Sequence, residues 1–172
     1  IRHDHAEAHY YLGLSHLNLN CFEDAADSFL MATHFRSDFP EAVHNLGLDA
    51  RRRRDFDQAV VYFEKAIELK PDFAYAHNNL GYTLFNDLGE HERGAAHIEA
   101  ALRLRPHDPD IQCNCSMVLV HRGLLDAALA LCDELIAAHP DLHEARLNRA
   151  LAALKLGRFA EALVGALPGL VT

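Results

Sequence analysis

The stretch Ala42–Asp72, AVHNLGLDARRRRDFDQAVVYFEKAIELKPD, decides the fold. Its apolar and small residues fall at helical spacing in two runs, with Leu46 and Ala50 in the first and Ala59, Phe63 and Ala66 in the second. A run of arginines and two aspartates separates them, so the segment reads as two amphipathic helices joined by a short turn. Pro71 lacks an N–H and restricts the residue before it, which stops the second helix there.

The same pattern recurs outward in both directions. Gly13, Gly47, Gly81, Ser116 and Ala150 are separated by 34, 34, 35 and 34 residues. A second small series, Ala25, Ala59, Gly94, Ala128 and Ala162, runs at 34, 35, 34 and 34, and Pro71, Pro106 and Pro140 form a third. Such a period determines the architecture, because one helix pair cannot bury its apolar face alone and must stack on the next. The small residues let antiparallel helices approach closely. Phe22, Phe56, His91, Leu125 and Phe159 are placed at the start of each second helix. The extra residue falls between Gly81 and Gly94, and the turn-like segment 86–90 is expected to absorb it without shifting either helix.

Ala42–Asp72 and Ala74–Asp108 (AYAHNNLGYTLFNDLGEHERGAAHIEAALRLRPHD) resemble tetratricopeptide repeats. The resemblance covers nearly the whole chain. It implies an all-α fold, a right-handed α–α superhelix (solenoid) of about five helix-turn-helix repeats in a single domain over 1–172. Repeats are expected at 6–39, 40–73, 74–108, 109–142 and 143–172, the last incomplete. Ile1-Arg2-His3-Asp4 aligns with Leu69-Lys70-Pro71-Asp72, so residues 1–5 are expected to be the tail of a preceding repeat. Ser116 and Leu135 depart from the small residues usual in the family, and Arg149 occupies an ordinarily apolar place. Pro168 and Gly169 interrupt what should be the last second helix, leaving an uncapped end through which a homo-oligomer could form.

Composition narrows the function. Half the residues are hydrophobic and a quarter charged, with 8% aromatic and no Trp, the balance of a folded protein built from Ala- and Leu-rich helices. Sixteen basic against twenty-five acidic residues give a formal charge of −9, which opposes attraction to nucleic acid. No run approaches the roughly 18–20 apolar residues of a membrane span. Cys21, Cys113, Cys115 and Cys132 form no CxxC pair and read as reduced thiols of a cytoplasmic protein. His5 and His9 have the i,i+4 spacing of metal ligands, with His16 farther along, but no Glu completes an HExxH motif, so neither a metal nor a cofactor is expected. Asp108, Asp110 and Cys113 lack a partnered base, and the chain is not expected to be an enzyme.

The resemblance further implies that the first helix of each repeat lines a concave face that takes up peptides. In this register Asn45, Asn79, Asn114 and Asn148 share one inward position, occupied by Tyr11 in the first repeat. The row resembles the asparagine ladder in the tetratricopeptide arm of O-linked N-acetylglucosamine transferases. An amide carries a donor and an acceptor, so each Asn could grip one residue of an extended chain. Helices packed about 8–10 Å apart would meet roughly every third residue of a peptide that advances about 3.3 Å per residue. Alternatively, each amide bonds a neighbouring helix. Tyr75, Asn78, Tyr82 and Phe85 recur at helical spacing and are expected to share the open inner face of the third repeat. Leu14, Leu48, Met117 and Leu151 stand where Tyr82 does, which makes the stripe neutral and apolar. These features point to a protein-interaction scaffold that binds an extended or helical peptide segment. The alternatives are a substrate-recognition arm of a larger enzyme such as a glycosyltransferase, and a self-assembling array.

Overall fold

The computed structural model describes residues 2–160 and residue 162, with side chains from His5 onward. Among the described residues it contains helices and no strand. The helices are α1 (Arg2–Asn18), α2 (Phe22–Phe35), α3 (Pro40–Arg52), α4 (Phe56–Leu69), α5 (Ala74–Tyr82), α6 (His91–Leu104), α7 (Pro109–His121), α8 (Leu125–Ala138) and α9 (His143–Lys155). Helical backbone resumes at Phe159. The chain divides into two compact units, residues 1–100 and 101–172, the boundary falling inside α6. In the first unit α1 packs on α2 and α3 on α4; in the second, α7, α8 and α9 pack on one another.

Local chemistry explains the helix ends. Pro40 and Pro109 open α3 and α7, at a position whose N–H has no intrahelical partner anyway. Asp55 caps α4 by accepting the N–H of Gln58 at 3.3 Å, and Asp108 caps α7 by accepting that of Ile111 at 3.4 Å. Pro71, Pro106 and Pro140 each follow a second helix that has already ended. No Pro or Gly interrupts residues 2–5, and α1 is helical from Arg2. Pro168 and Gly169 lie outside the described residues.

Inside each pair a small residue faces a large one. A Cβ on Gly13 would stand 2.6 Å from the Phe29 ring, and one on Gly47 would stand 2.6 Å from the Phe63 ring. In the third repeat the backbones themselves meet, since a Cβ on Gly94 would lie 2.6 Å from the carbonyl oxygen of Gly81 and from the amide nitrogen of Phe85. Ser116 takes the glycine's place in the fourth repeat, and there the facing residue shrinks to Cys132, which is hydrogen-bonded to Ser116. Leu135, one turn on, refills the volume against Cys113 and Ala145. The two departures from the small-residue pattern therefore compensate each other.

The turn between paired helices is equally regular. Asn20, Arg54, Gly89, Gly123 and Gly157 occupy one repeat position, and all have positive φ, between 59° and 76°. The next residue's N–H then closes back onto the first helix: Cys21 donates to the carbonyl of His16, Asp55 to Ala50, Leu124 to Leu119 and Arg158 to Ala153, at 2.9–3.0 Å and always five residues back. In the third repeat Glu90 donates to Leu84, six back, at 2.7 Å. The extra residue therefore sits within the helix. Thr83–Asp87 forms a π-helical turn continuing α5, and the N–H of Leu88 reaches the carbonyl of Thr83 at 3.0 Å. The insertion widens the end of the first helix, which corrects the expectation that segment 86–90 absorbs it alone.

Two substitutions test these constraints. Gly47→Ala is expected to cost about 1–3 kcal/mol in urea denaturation, because the Phe63 ring must give way; Gly94→Ala should cost more, since backbone cannot tilt aside as a ring can. Arg54→Gly should raise stability by about 0.5–1 kcal/mol by relieving a left-handed conformation that non-glycine residues adopt at a cost.

Candidate functional site

The amide row follows from the repeat register, but its surroundings do not. Asn79, half-buried on α5, donates from Nδ2 to Nε2 of His44 on α3 at 2.9 Å. Asn148 on α9 donates to the carbonyl of Cys113 at 3.1 Å and to Oγ of Ser116 at 2.9 Å, both on α7. Asn45 on α3 donates to the carbonyl of Glu41 at 2.9 Å and is hydrogen-bonded to Tyr10 on α1. Tyr10, His44 and Cys113 are themselves one equivalent position of the first, second and fourth repeats, held by Asn78 in the third. Each of these three amides thus reaches back to the first helix of the repeat before it. Asn114, the fourth, is half-buried on α7. At Asn79 and Asn148 the amide nitrogen thus serves the joint between repeats, and at Asn45 it also serves the carbonyl of Glu41 on its own helix.

His44 shows how specific the joint is. It is buried between the Phe63 and Phe73 rings, whose centroids lie 5.6 and 5.0 Å from its own. Nε2 accepts from Asn79, so the ring proton belongs on Nδ1, and the ring is also hydrogen-bonded to the backbone of Tyr75. Burial holds the imidazole far below its ordinary value, at about 4, against the opposing pull of the Glu41 carboxylate and the Tyr75 backbone. The neutral ring is the form that fits, since a proton on Nε2 would face the amide's own hydrogens.

The aromatic stripe is divided. Tyr11 is 64% exposed and Tyr75 37% exposed, while Tyr82 is half-buried under the Arg51 guanidinium, 4.3 Å from the ring centroid. Arg51 is held there by its Nε bond to Asp87, at 2.8 Å. Asn78 and Phe85, expected on the same open face, are each only 5% exposed, and Phe85 packs edge-on against His91 at 4.8 Å. Helical spacing alone placed all four together. Residues three and ten positions beyond Tyr75 lie about 60–80° round the helix, far enough to turn inward, and the π turn carries Phe85 against Gly94. Leu48 is half-buried and Leu151 exposed.

A feature the sequence reading missed lies beside Asn45. Leu17, Phe22, Ala26, Phe29 and Leu48 line an apolar recess of about 190 Å³, with Asn45, Asp49 and Arg52 at its edge. That is smaller than the roughly 300 Å³ or more of a small-molecule site and suits one apolar side chain. The signal for it is the coincidence of small Ala25 and Ala26 with Leu48, readable only once α2 and α3 are known to be neighbours. Among the described residues no helix is long and apolar enough to cross a membrane.

A family model of the tetratricopeptide repeat matches residues 44–109, 85–143 and 116–167. Comparison with curated proteins finds no significant match. Among solved structures the chain is similar to YrrB, described as a TPR protein with an unusual peptide-binding site, at 20% identity over 91% of this chain and 80% of that one, TM-score 0.70. It is similar to MamA from Desulfovibrio magneticus at 15% identity over 94% and 91%, TM-score 0.76. A third likeness is to PilW, a type IV pilus biogenesis factor, at 20% identity over 93% and 74%, TM-score 0.81. At these identities the likeness is one of fold.

The His44 joint predicts acid sensitivity. Its folded value lies below the 6.5 of a free imidazole, so the stability it confers is complete above pH 6.5 and disappears as pH falls towards 4, a loss of roughly 3 kcal/mol. Denaturation between pH 7 and 4 should show a shallower decline in His44→Gln than in the parent. Asn79→Ala should destabilise by about 1–3 kcal/mol at neutral pH, through the acceptor left unpaired.

Proposed function

This chain belongs to the tetratricopeptide repeat family, and from that premise we propose that it is a protein-interaction scaffold whose first unit holds a polypeptide segment by spaced apolar anchors. The observation that carries the reading is the 190 Å³ apolar recess beside Asn45, too small for a cofactor and open at its edge. Tyr11 and Tyr75 supply exposed aromatic surface on the first helices of the flanking repeats. Tyr82, fixed by Arg51 and Asp87, adds a pre-ordered contact that costs little entropy on binding. Asn45 and Asn79 use an amide N–H internally and keep the amide oxygen as an acceptor for a peptide N–H. The anchors rather than an amide ladder then set affinity. The similarity to YrrB, a protein with a peptide-binding site, is consistent with this use of the fold.

A second reading, self-association, is favoured by one observation. Leu147, Leu151 and Leu154 are exposed on α9 at i, i+4, i+7 spacing, a continuous apolar stripe among the described residues. Sedimentation across a concentration series separates it from the first: a mass that doubles with concentration in the parent and not in Leu151→Glu supports it.

For the scaffold reading, panning a random peptide library against the chain should select sequences with spaced aromatic or aliphatic residues. Leu48→Arg, which fills the recess with charge, should weaken the selected peptides by at least about tenfold. Far-UV circular dichroism and melting temperature should stay at parental values, and Tyr75→Ala should weaken binding as well. Unchanged affinity in both variants refutes the assignment.

A further inference from the structure

The turn between α1 and α2 carries three metal-ligating side chains that the repeat does not require. The ligand atoms of His16, Cys21 and Asp24 all lie within 4.8 Å of one another. His16 is in the last turn of α1, Cys21 at the N-cap position of α2 and Asp24 in its first turn. The backbone fixes the approach. Asn20 takes the left-handed conformation, and the N–H of Cys21 donates to the carbonyl of His16 at 2.9 Å, folding the thiol back towards the imidazole.

Comparison between repeats shows how unusual the set is. The position of His16 is Ala50, Leu84 and Leu119 in the next three repeats, and Ala50 and Leu84 are fully buried. Cys21 corresponds to Asp55, Glu90 and Leu124, and Asp24 to Gln58, Arg93 and Ala127. Asp55 caps its helix, whereas Cys21 makes no side-chain cap bond, so the first repeat forgoes about 1 kcal/mol that an Asp there would supply. Among the described residues neither the His16 ring nor the Asp24 carboxylate has a hydrogen-bond or ion-pair partner.

We propose that His16, Cys21 and Asp24 form a binding site for a divalent transition metal of the zinc type, with one imidazole, one thiolate and one carboxylate ligand and a fourth position left to solvent. Softness decides the class, because thiolate with imidazole favours zinc over the oxygen-seeking magnesium and calcium. Tetrahedral zinc with bonds of about 2.0–2.3 Å spaces its ligands about 3.3–3.8 Å apart. The observed spread therefore closes by about 1 Å, within reach of a rotation of the exposed Asp24 side chain. The site opens on a recess of about 360 Å³ lined by Asn20, Glu23 and Arg52 as well as Cys21 and Asp24, which gives the ion an entry path. Arg52 is the opposing charge nearby. Its guanidinium is bonded to Asp49 at 2.8 Å and lies 4.4 Å from the Phe22 ring centroid, so it is already neutralised in part and held in place. Binding the ion releases the thiol proton to solvent and clips α1 to α2.

The other thiols are poorer ligands. Cys113 and Cys132 are buried, and burial pushes the Cys113 thiol up to about 12 and raises that of Cys132. Cys115 is half-buried and serves as the control.

Titration of the reduced full chain with Co²⁺ reads the site directly, because only a thiolate ligand gives the sulfur-to-cobalt charge-transfer band, whereas the other histidines do not. The parent should develop this band with one equivalent of Co²⁺ and lose it on adding Zn²⁺. Cys21→Ser should abolish it, His16→Ala and Asp24→Asn should each weaken Co²⁺ at least about tenfold, and Cys115→Ser should leave it unchanged. Zn²⁺ should raise the melting temperature of the parent and not of Cys21→Ser. The three ligands are at most half-buried, and far-UV circular dichroism of each variant verifies its fold. No band in the parent, or a band that persists in Cys21→Ser and vanishes in Cys115→Ser, overturns the proposal.

Discussion

Everything else in this protein depends on how closely the two helices of each pair approach. Ridges pack into grooves at a distance set by the side chains at the crossing, and here each crossing sets a small residue against a partner whose size differs from pair to pair. Gly13 and Gly47 receive whole phenyl rings, Gly81 meets Gly94 backbone to backbone, and Ser116 is matched by a shrunken Cys132. Within the first unit the buried core then crosses the boundary between repeats, since Ala50, Ala59, Phe63, Leu80 and Leu84 combine residues of two consecutive repeats in one buried group.

The repeat period was therefore legible in the sequence, while what fills it was legible only in part. Glycines spaced 34 apart announce where helices touch, and the prolines announce where they stop. Counting residues also shows that one is added in the third repeat. Counting does not show which hydrogen-bond ring widens to take it, because a loop and a π turn accept an extra residue equally well on paper. The closing bond at the left-handed joint resolves the choice, reaching six residues back from Glu90 and five back from Cys21, Asp55, Leu124 and Arg158.

The candidate site divides along the same line. Placing Asn45, Asn79, Asn114 and Asn148 at one position needed only the period. Their use needed the partner across the interface, and that partner varies from repeat to repeat, being Tyr10, His44 and then the Cys113 carbonyl with Ser116. An amide suits all three, since it can donate to a phenol, an imidazole nitrogen, a carbonyl or a hydroxyl without changing shape. That versatility gives an architectural reason why the residue recurs while its partner does not. The aromatic stripe failed at Asn78 and Phe85 for a related cause. Helical spacing fixes angles around one helix, but which of those angles is open depends on the neighbours.

A repeat protein supplies its own controls, and this makes the exceptions informative. Where the architecture sets a position, its occupants converge on one chemistry, as the small residues and the glycines of the turn do. Arg54 breaks the glycine pattern and stays left-handed, so the joint dictates the conformation and the side chain bears the strain. His16 breaks the small-or-apolar pattern of its position, and Cys21 and Asp24, at positions that vary between repeats, add mutually compatible chemistry within the same turn. Independent drift at three positions has no reason to bring together a thiol, an imidazole and a carboxylate within bonding reach of one point. A shared ligand supplies that reason without replacing either residue of the Gly13–Phe29 crossing. The scaffold can therefore change the chemistry of a turn without changing its stacking, and a turn is where such a fold can take on a new role at least cost.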